Sequence, residues 1–327
     1  MGIRLSRPHK STLLQACLAI ALFAATMFGA PAAGWAQETT STGSQEPTSF
    51  FGVVGKSLAG DVYDPARWHE LTLGSFFTDG WDEAWASGPN GEGGAPRQGW
   101  LNANDGVFYR LFLFTFNWAH QDNDDSYVGG LTAYTPLNRR FQFRFDIPFF
   151  VSTPEPQRET GFGDFQVTPR FLLSESVNFS QSLDLTFRTP TGSKRTGNDI
   201  GAFSPVYNFW WNAVGGLVVR GGVGGFVPFT DRAGNKFLAN LAAGYYFTRH
   251  DLIPIGDLVW YVAANLNQLT DSEIAGTQVP NTTTLTFTPG FRTHLGANFY
   301  LLGGVEVPVT HPKPFDYQVL AALMKVW

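Results

Sequence analysis

The chain has 327 residues, of which 15% are aromatic, 15% charged and 36 are Gly, with a formal net charge of -5. Its aromatic content excludes disorder, its acidic balance disfavours a nucleic-acid partner, and a mean hydropathy of -0.08 excludes a bundle of membrane-spanning helices. What remains is aromatic, glycine-rich and poor in charge against the roughly 25% of a soluble domain, a composition suited to a β-protein with two differently solvated faces.

Residues 1–36 read as an export signal: Arg4, Arg7 and Lys10 form a basic head, Leu13 to Phe28 a charge-free core, and Gly34 and Ala36 a small-x-small cleavage site. Removing those three basic residues leaves 19 Lys and Arg against 27 Asp and Glu, a net charge of -8. The only cysteine, Cys17, lies in the core of the signal, so disulfides and cysteine chemistry are closed to the exported chain. Glu38 to Ser49 is a Thr-, Ser-, Gly- and Pro-bearing linker. The whole of 37–105 is taken as a periplasmic linker and segment ahead of a barrel at 106–327.

Beyond Gly106 the sequence alternates with a period of two. In one stretch Phe141, Phe143, Phe145, Ile147 and Phe149 oppose Arg140, Gln142, Arg144 and Asp146, the pattern of a strand whose faces meet different solvents. The same contrast returns at Asp164 to Leu173, Ser182 to Thr189 and Thr282 to Leu295. Twelve strands are predicted, near 106–119, 126–137, 140–152, 163–174, 180–190, 203–214, 216–229, 237–248, 257–269, 282–295, 297–309 and 315–327. Crossing a bilayer at a tilt takes roughly 9–11 residues, which these segments satisfy. Connections near 138, 177 and 296 are short, whereas 153–162, 190–202, 230–236, 270–281 and 310–314 are generally longer and polar. Short turns at one end and long loops at the other define an all-β, twelve-stranded antiparallel up-and-down barrel spanning the outer membrane. Trp327 closes an alternating last strand with Tyr317, Val319, Ala321 and Leu323 on its face, the kind of terminal signal read by the outer-membrane insertion machinery, though Lys325 departs from it.

Other readings fit less well. A soluble sandwich would not present Phe and Trp outward, and the charge-free Ile200 to Val219 carries Pro205, Asn208, Asn212, Gly215 and Gly216, unfit for a spanning helix. Trp68 to Thr78 is weighed as a thirteenth strand, but an odd count would put the chain's ends on opposite sides. Gly55-Lys56-Ser57 imitates a P-loop end without the motif's first glycine, and no helix is expected there. Glycines 221, 222, 224 and 225 are read as relieving crowding in a barrel wall or allowing a bend. Asp122 to Ser126 has calcium-loop carboxylate spacing without the turning glycine and reads as a polar loop. None of His69, His120, His250, His294 and His311 sits in a metal spacing, so neither metal nor cofactor is expected.

With Phe and Leu toward lipid, Arg144, Asp146, Arg170, Asp184, Arg188, Arg220, Asp257, Arg292, His294 and Glu306 point inward as candidate pore-lining groups. Tyr134, Tyr246, Tyr261 and Tyr300 join them as inward aromatics. A transverse Asp146–Arg170–Asp184 ladder is expected, either setting a field for a solute or only stiffening the wall. Twelve strands leave a narrower passage than a porin's. The expected function is passive passage of small organic solutes, without catalysis. The alternatives are a hydrolase of the barrel-lipase type and a plugged structural or surface-binding barrel; whether 50–105 plugs the bore or lies outside is open. Lipids and the insertion machinery are the other expected partners.

At Gly161-Phe162-Gly163-Asp164 and Pro190-Thr191-Gly192 the sequence resembles the outer-membrane transporters grouped with the meta-pathway phenol-degradation proteins, over roughly residues 100 to 327. The resemblance implies a barrel passing small compounds, aromatic ones among them, and brings no catalytic residues.

Overall fold

The computed structural model describes residues 49–327 apart from 123, 155–157, 198 and 272. The export signal and the linker up to residue 48 lie outside the described residues. Twelve long strands follow one another: β1 (Leu111–Gln121), β2 (Asp124–Pro136), β3 (Phe141–Ser152), β4 (Gln166–Glu175), β5 (Phe179–Arg188), β6 (Ala202–Val214), β7 (Leu217–Pro228), β8 (Lys236–Tyr246), β9 (Gly256–Leu269), β10 (Thr283–Gly296), β11 (Phe299–Pro308) and β12 (Tyr317–Val326). Each pairs antiparallel with its sequence neighbours, and β1 also pairs with β12, Leu111 facing Val326 and His120 facing Tyr317. The sheet is therefore a closed barrel, and closure removes the unpaired edges of an open sheet. A two-residue piece, Thr160–Gly161, extends β3, and another two-residue pair stands in the 270–282 loop.

Alternation sorts the two faces. Trp211, Leu241, Trp260, Val262 and Phe287 are exposed on the outer wall, while their neighbours Trp210, Ala242, Tyr261, Ala263 and Thr286 are buried inside it. The predicted strands match these elements to within a few residues, with one instructive exception. The first strand starts at Leu111, not at 106, because residues 106–110 run through the bore instead of the wall. There the Gly106 carbonyl accepts from Ser180 Oγ at 2.6 Å, and Arg110 donates to the carbonyls of Ser57 and Gly60. Connections also depart from the simple plan: β1 ends at Gln121 and β2 begins at Asp124 at the long-loop end, whereas 247–255 make a longer excursion at the short-turn end.

The segment before the barrel packs against that short-turn end. Phe50–Ala59 is a helix, α1, capped by Ser49, whose Oγ accepts from Gly52 N at 3.2 Å. This corrects the expectation of no helix around Gly55-Lys56-Ser57. Its ten residues bury only Val53 and Ser57, too short an apolar stripe to stand out as periodicity. Ser57 is structural: its Oγ donates to Leu137 O at 3.0 Å and accepts from Trp85 N at 2.8 Å. Trp68 to Thr78, weighed as a thirteenth strand, makes a single bridge among the described residues, Leu71 to Glu175.

The interior is not uniformly polar. Leu302 on β11 and Leu320, Ala322 and Met324 on β12 point inward and are buried in one cluster with Trp100, Leu101, Val107 and Tyr261. The last strand is thus apolar on both faces, one toward the surroundings and one toward the chain that fills the bore. Its Lys325 reaches the carbonyl of Ala297 in the β10–β11 turn.

Candidate functional site

Residues 97–110 enter the barrel from the short-turn end, rise to an apex near Asn102 and descend to β1. Asn102 takes the left-handed conformation, φ 52°, which asparagine tolerates better than most residues, and this turns the segment back. On the way up, Gln98 Nε2 donates to Tyr300 Oη at 3.4 Å, and the Trp100 indole lies flat on Tyr261, centroids 4.8 Å apart and planes within 8°. Leu101 N donates to Tyr261 Oη at 2.9 Å. At the apex Asn102 Nδ2 donates to Glu306 at 2.7 Å and to Thr288 at 3.2 Å. On the descent Asn104 N donates to Asn240 Oδ1 at 2.8 Å. The wall is hollowed for this passage by missing side chains. A Cβ on Gly244 would meet Trp100 at 2.8 Å, one on Gly290 would meet Tyr261 at 2.5 Å, and one on Gly222 would meet Asn104 at 2.7 Å.

Asp105 is the electrostatic centre of the segment. Its Oδ2 is 2.5 Å from Arg220 Nη2 and its Oδ1 is 3.3 Å from Arg170 Nη2. Arg220, fully buried, also donates to the carbonyls of Gln98 and Asn104 and stands over the Trp100 ring at 4.9 Å. Arg170 Nε donates to Asp184 at 2.9 Å, and its Nη1 to Gln142 Oε1 at 2.7 Å and Val107 O at 3.1 Å. Two guanidinium groups thus meet two carboxylates, and this satisfied pairing is what allows four charges to be buried.

The sequence-predicted residues fall into three groups. Arg170, Asp184, Arg220, Tyr261 and Glu306 converge on or beside the inserted segment. Arg144 and Asp146 pair with each other on β3 at 2.8 Å, Asp146 also accepting from Thr132 at 2.7 Å. Arg188 lies at the long-loop end, holding Asp164 at 2.7 Å; Arg292 and His294 lie at the other end, Arg292 over the Tyr300 ring at 4.4 Å. The transverse ladder needs correction. Arg170 faces Asp184, but the β3–β4 register sets Asp146 opposite Gln166 and Arg170 opposite Gln142. The third partner of Arg170 is Asp105, which the strand pattern could not supply because it belongs to no strand.

A second ionic cluster stands at the short-turn end. Arg97 Nη1 lies 2.6 Å from Glu175 Oε1, and Arg139 Nη2 lies 3.2 Å from Glu175 Oε2. The Arg97 guanidinium stands over the rings of Trp68 and Trp210 at 5.7 and 5.2 Å. Burial pulls the Arg97 pKa below its ordinary value, and the Glu175 carboxylate pulls it back up. Two cavities remain on either side of the inserted segment. One, of about 620 Å³ at the short-turn end, is lined by Trp68, Trp85, Phe108, Tyr109, His250 and Tyr300 among others. The other, of about 320 Å³, is lined by Asp105, Tyr134, Arg144, Arg170, Asp184 and Asn240 among others.

Residues 95–309 match the family described as MetA-pathway of phenol degradation. The chain belongs to that family. The match starts just ahead of the inserted segment and so takes in that segment as well as most of the wall. Among solved structures, an outer membrane channel from Pseudomonas putida F1 is similar at 12% identity and a TM-score of 0.57, over 71% of this chain and 100% of that one. The NanC porin is similar at 7% identity and a TM-score of 0.45, over 65% of this chain and 99% of the porin. The KdgM porin, in complex with disordered oligogalacturonate, stands at 11% and 0.43, over 66% and 99%. At these identities the first likeness is one of fold. No curated protein matches the chain.

Proposed function

We propose that this protein is a passive outer-membrane channel for small organic solutes, acting without catalysis, with a bore narrowed by residues 97–110. The observation that carries the reading is a closed sheet with Trp211, Leu241, Trp260 and Phe287 exposed outside while Arg170, Asp184 and Arg220 are buried inside. Such an inversion is the arrangement a β-barrel needs to sit in lipid and enclose a polar interior. The channel from Pseudomonas putida F1, with which it shares a fold, supports the same reading.

Arg144, Asp146, Arg170, Asp184 and Arg220 line the charged side of the route, and the aromatic cavity at the short-turn end receives the solute. A ring of Trp68, Trp85, Phe108, Tyr109 and Tyr300 around a 620 Å³ space favours flat, apolar or aromatic compounds. The last strand, with Trp327 stacked on Phe112 at 5.5 Å, is the element offered to the insertion machinery.

The test is conductance of the full chain in planar bilayers together with swelling of proteoliposomes in small aromatic and sugar solutes. Small, steady conductance steps and faster entry of the smaller solutes are expected. A silent bilayer for this chain, with steps appearing only in a variant with Gly and Ser replacing 98–105, would favour the second reading, a plugged structural barrel. That reading draws on the dense bonding of the inserted segment to the wall.

A further inference from the structure

We propose that His250, Asp257 and His294 form a binding site for a transition-metal dication of the zinc, cobalt or nickel type, set beside the cavity at the short-turn end of the barrel. The site is independent of the channel reading. One donor atom from each residue lies within 4.8 Å of the others. Two imidazoles and one carboxylate make a borderline ligand set that suits such ions over calcium or magnesium.

The surroundings of the three residues are those of a prepared site. His294 is 3% exposed, and its Nε2 has no hydrogen-bond partner among the described residues. Its Nδ1 lies 3.2 Å from the carbonyl of His250, a contact that puts the proton on Nδ1 and leaves Nε2 with a free lone pair. Asp257 Oδ1 accepts from Tyr246 Oη at 3.0 Å, and Oδ2 lies 2.8 Å from His250 Nδ1. The Tyr246 hydroxyl is an outer partner of the kind that orients metal ligands and sets their basicity. The Asp257 backbone sits in the left-handed region, φ 48°, at a register shift in β9. Such a conformation costs about 1–3 kcal/mol in a non-glycine residue and persists where the surrounding structure enforces it, often at functional sites.

The donors must draw closer to bind. Tetrahedral zinc with ligand distances of roughly 2.0–2.1 Å needs donors about 3.3 Å apart. His250 supplies the movement: it stands on the 247–255 turn with its side chain 57% exposed, and its ring now stacks face to face on His294 at 4.1 Å. The opposing charge is Arg292, whose Nη2 lies 3.7 Å from Asp257 Oδ2. It competes with the ion for that carboxylate and weakens binding without blocking it. His250 and Asp257 also line the aromatic cavity, so a bound ion presents its remaining coordination positions to that space.

The experiment uses the untagged full chain in detergent, stripped with a chelator and titrated with cobalt(II), followed by visible absorption and by zinc competition. One ion per chain is expected, with a spectrum typical of nitrogen and oxygen ligands. H294Q and H250Q each weaken binding tenfold or more, whereas H69Q, H120Q and H311Q leave it unchanged. His250 is an exposed turn residue, so H250Q keeps the barrel's unheated gel migration even if H294Q does not fold. Absence of saturable binding, or an affinity that H250Q leaves unaltered, overturns the proposal.

Discussion

Asp105 Oδ2 lies 2.5 Å from Arg220 Nη2, joining a residue of the inserted segment to the inner face of β7 where both are buried. The same carboxylate reaches Arg170 on β4. One side chain therefore pins the segment to two strands on different parts of the wall.

Replacing Asp105 with Asn leaves Arg220 buried without a carboxylate. Removing one partner of a buried pair costs about 3–5 kcal/mol, and the amide recovers part of that through its oxygen. The expected outcome is a lower unfolding midpoint in detergent and larger, noisier conductance steps as the segment loosens. Conductance and midpoint both equal to those of the parent would show that Asp105 does not hold the segment.

Trp100→Ala removes the ring between Tyr261 and Arg220. Truncating a buried Trp costs about 3–5 kcal/mol. Urea unfolding in micelles is expected to shift by that amount, with faster solute entry in swelling assays. A shift below ~1 kcal/mol would mean the indole is replaceable filling.

Arg170→Ala leaves Asp105 with Arg220 as its ion-pair partner and takes from Asp184 the guanidinium 2.9 Å away. The interior loses one positive charge, so the reversal potential in a salt gradient should move toward cation preference. No movement in reversal potential or conductance would assign the Arg170 pairings to packing alone.

Leu241→Arg tests the outer wall. Leu241 is 55% exposed at the middle of β8, and an arginine on the lipid face near the midplane costs roughly 2–4 kcal/mol. Folding yield into lipid vesicles should fall, while the loop substitution Asp231→Arg should change it little. Equal yields would place Leu241 away from hydrocarbon.

Deleting Trp327 removes the ring stacked on Phe112 and under Arg110, whose guanidinium stands 4.9 Å from it. Assembly in cells should drop more than unassisted refolding in detergent, because only the former uses a terminal signal. An equal loss in both would make Trp327 a packing residue only.

The barrel was legible in the sequence because alternation is local. Phe141 to Phe149 against Arg140 to Asp146 carries its own two-faced pattern, and a strand's side chains must alternate whatever they later touch. The Arg170–Asp184 pair was legible too, since both alternate inward on strands joined by a tight turn, although a bulge between Leu172 and Ser174 shifts the register by one before the pair is reached. The inserted segment was not. Trp100, Asn102, Asn104 and Asp105 obey no period, and their partners lie 65 to 204 positions away along the chain, as between Asp105 and Arg170 or Asn102 and Glu306. The glycines at 222, 244 and 290 read as wall features until the chain passing beside them is seen. The same holds for His250 and His294, which share no motif spacing and meet only because a long turn folds back on β10. Periodicity alone therefore determined which side chains face in and which face out. What the inward ones touch, water, an ion or the protein's own N-terminal segment, was decided by closure of the sheet, which brings distant strands around a single bore.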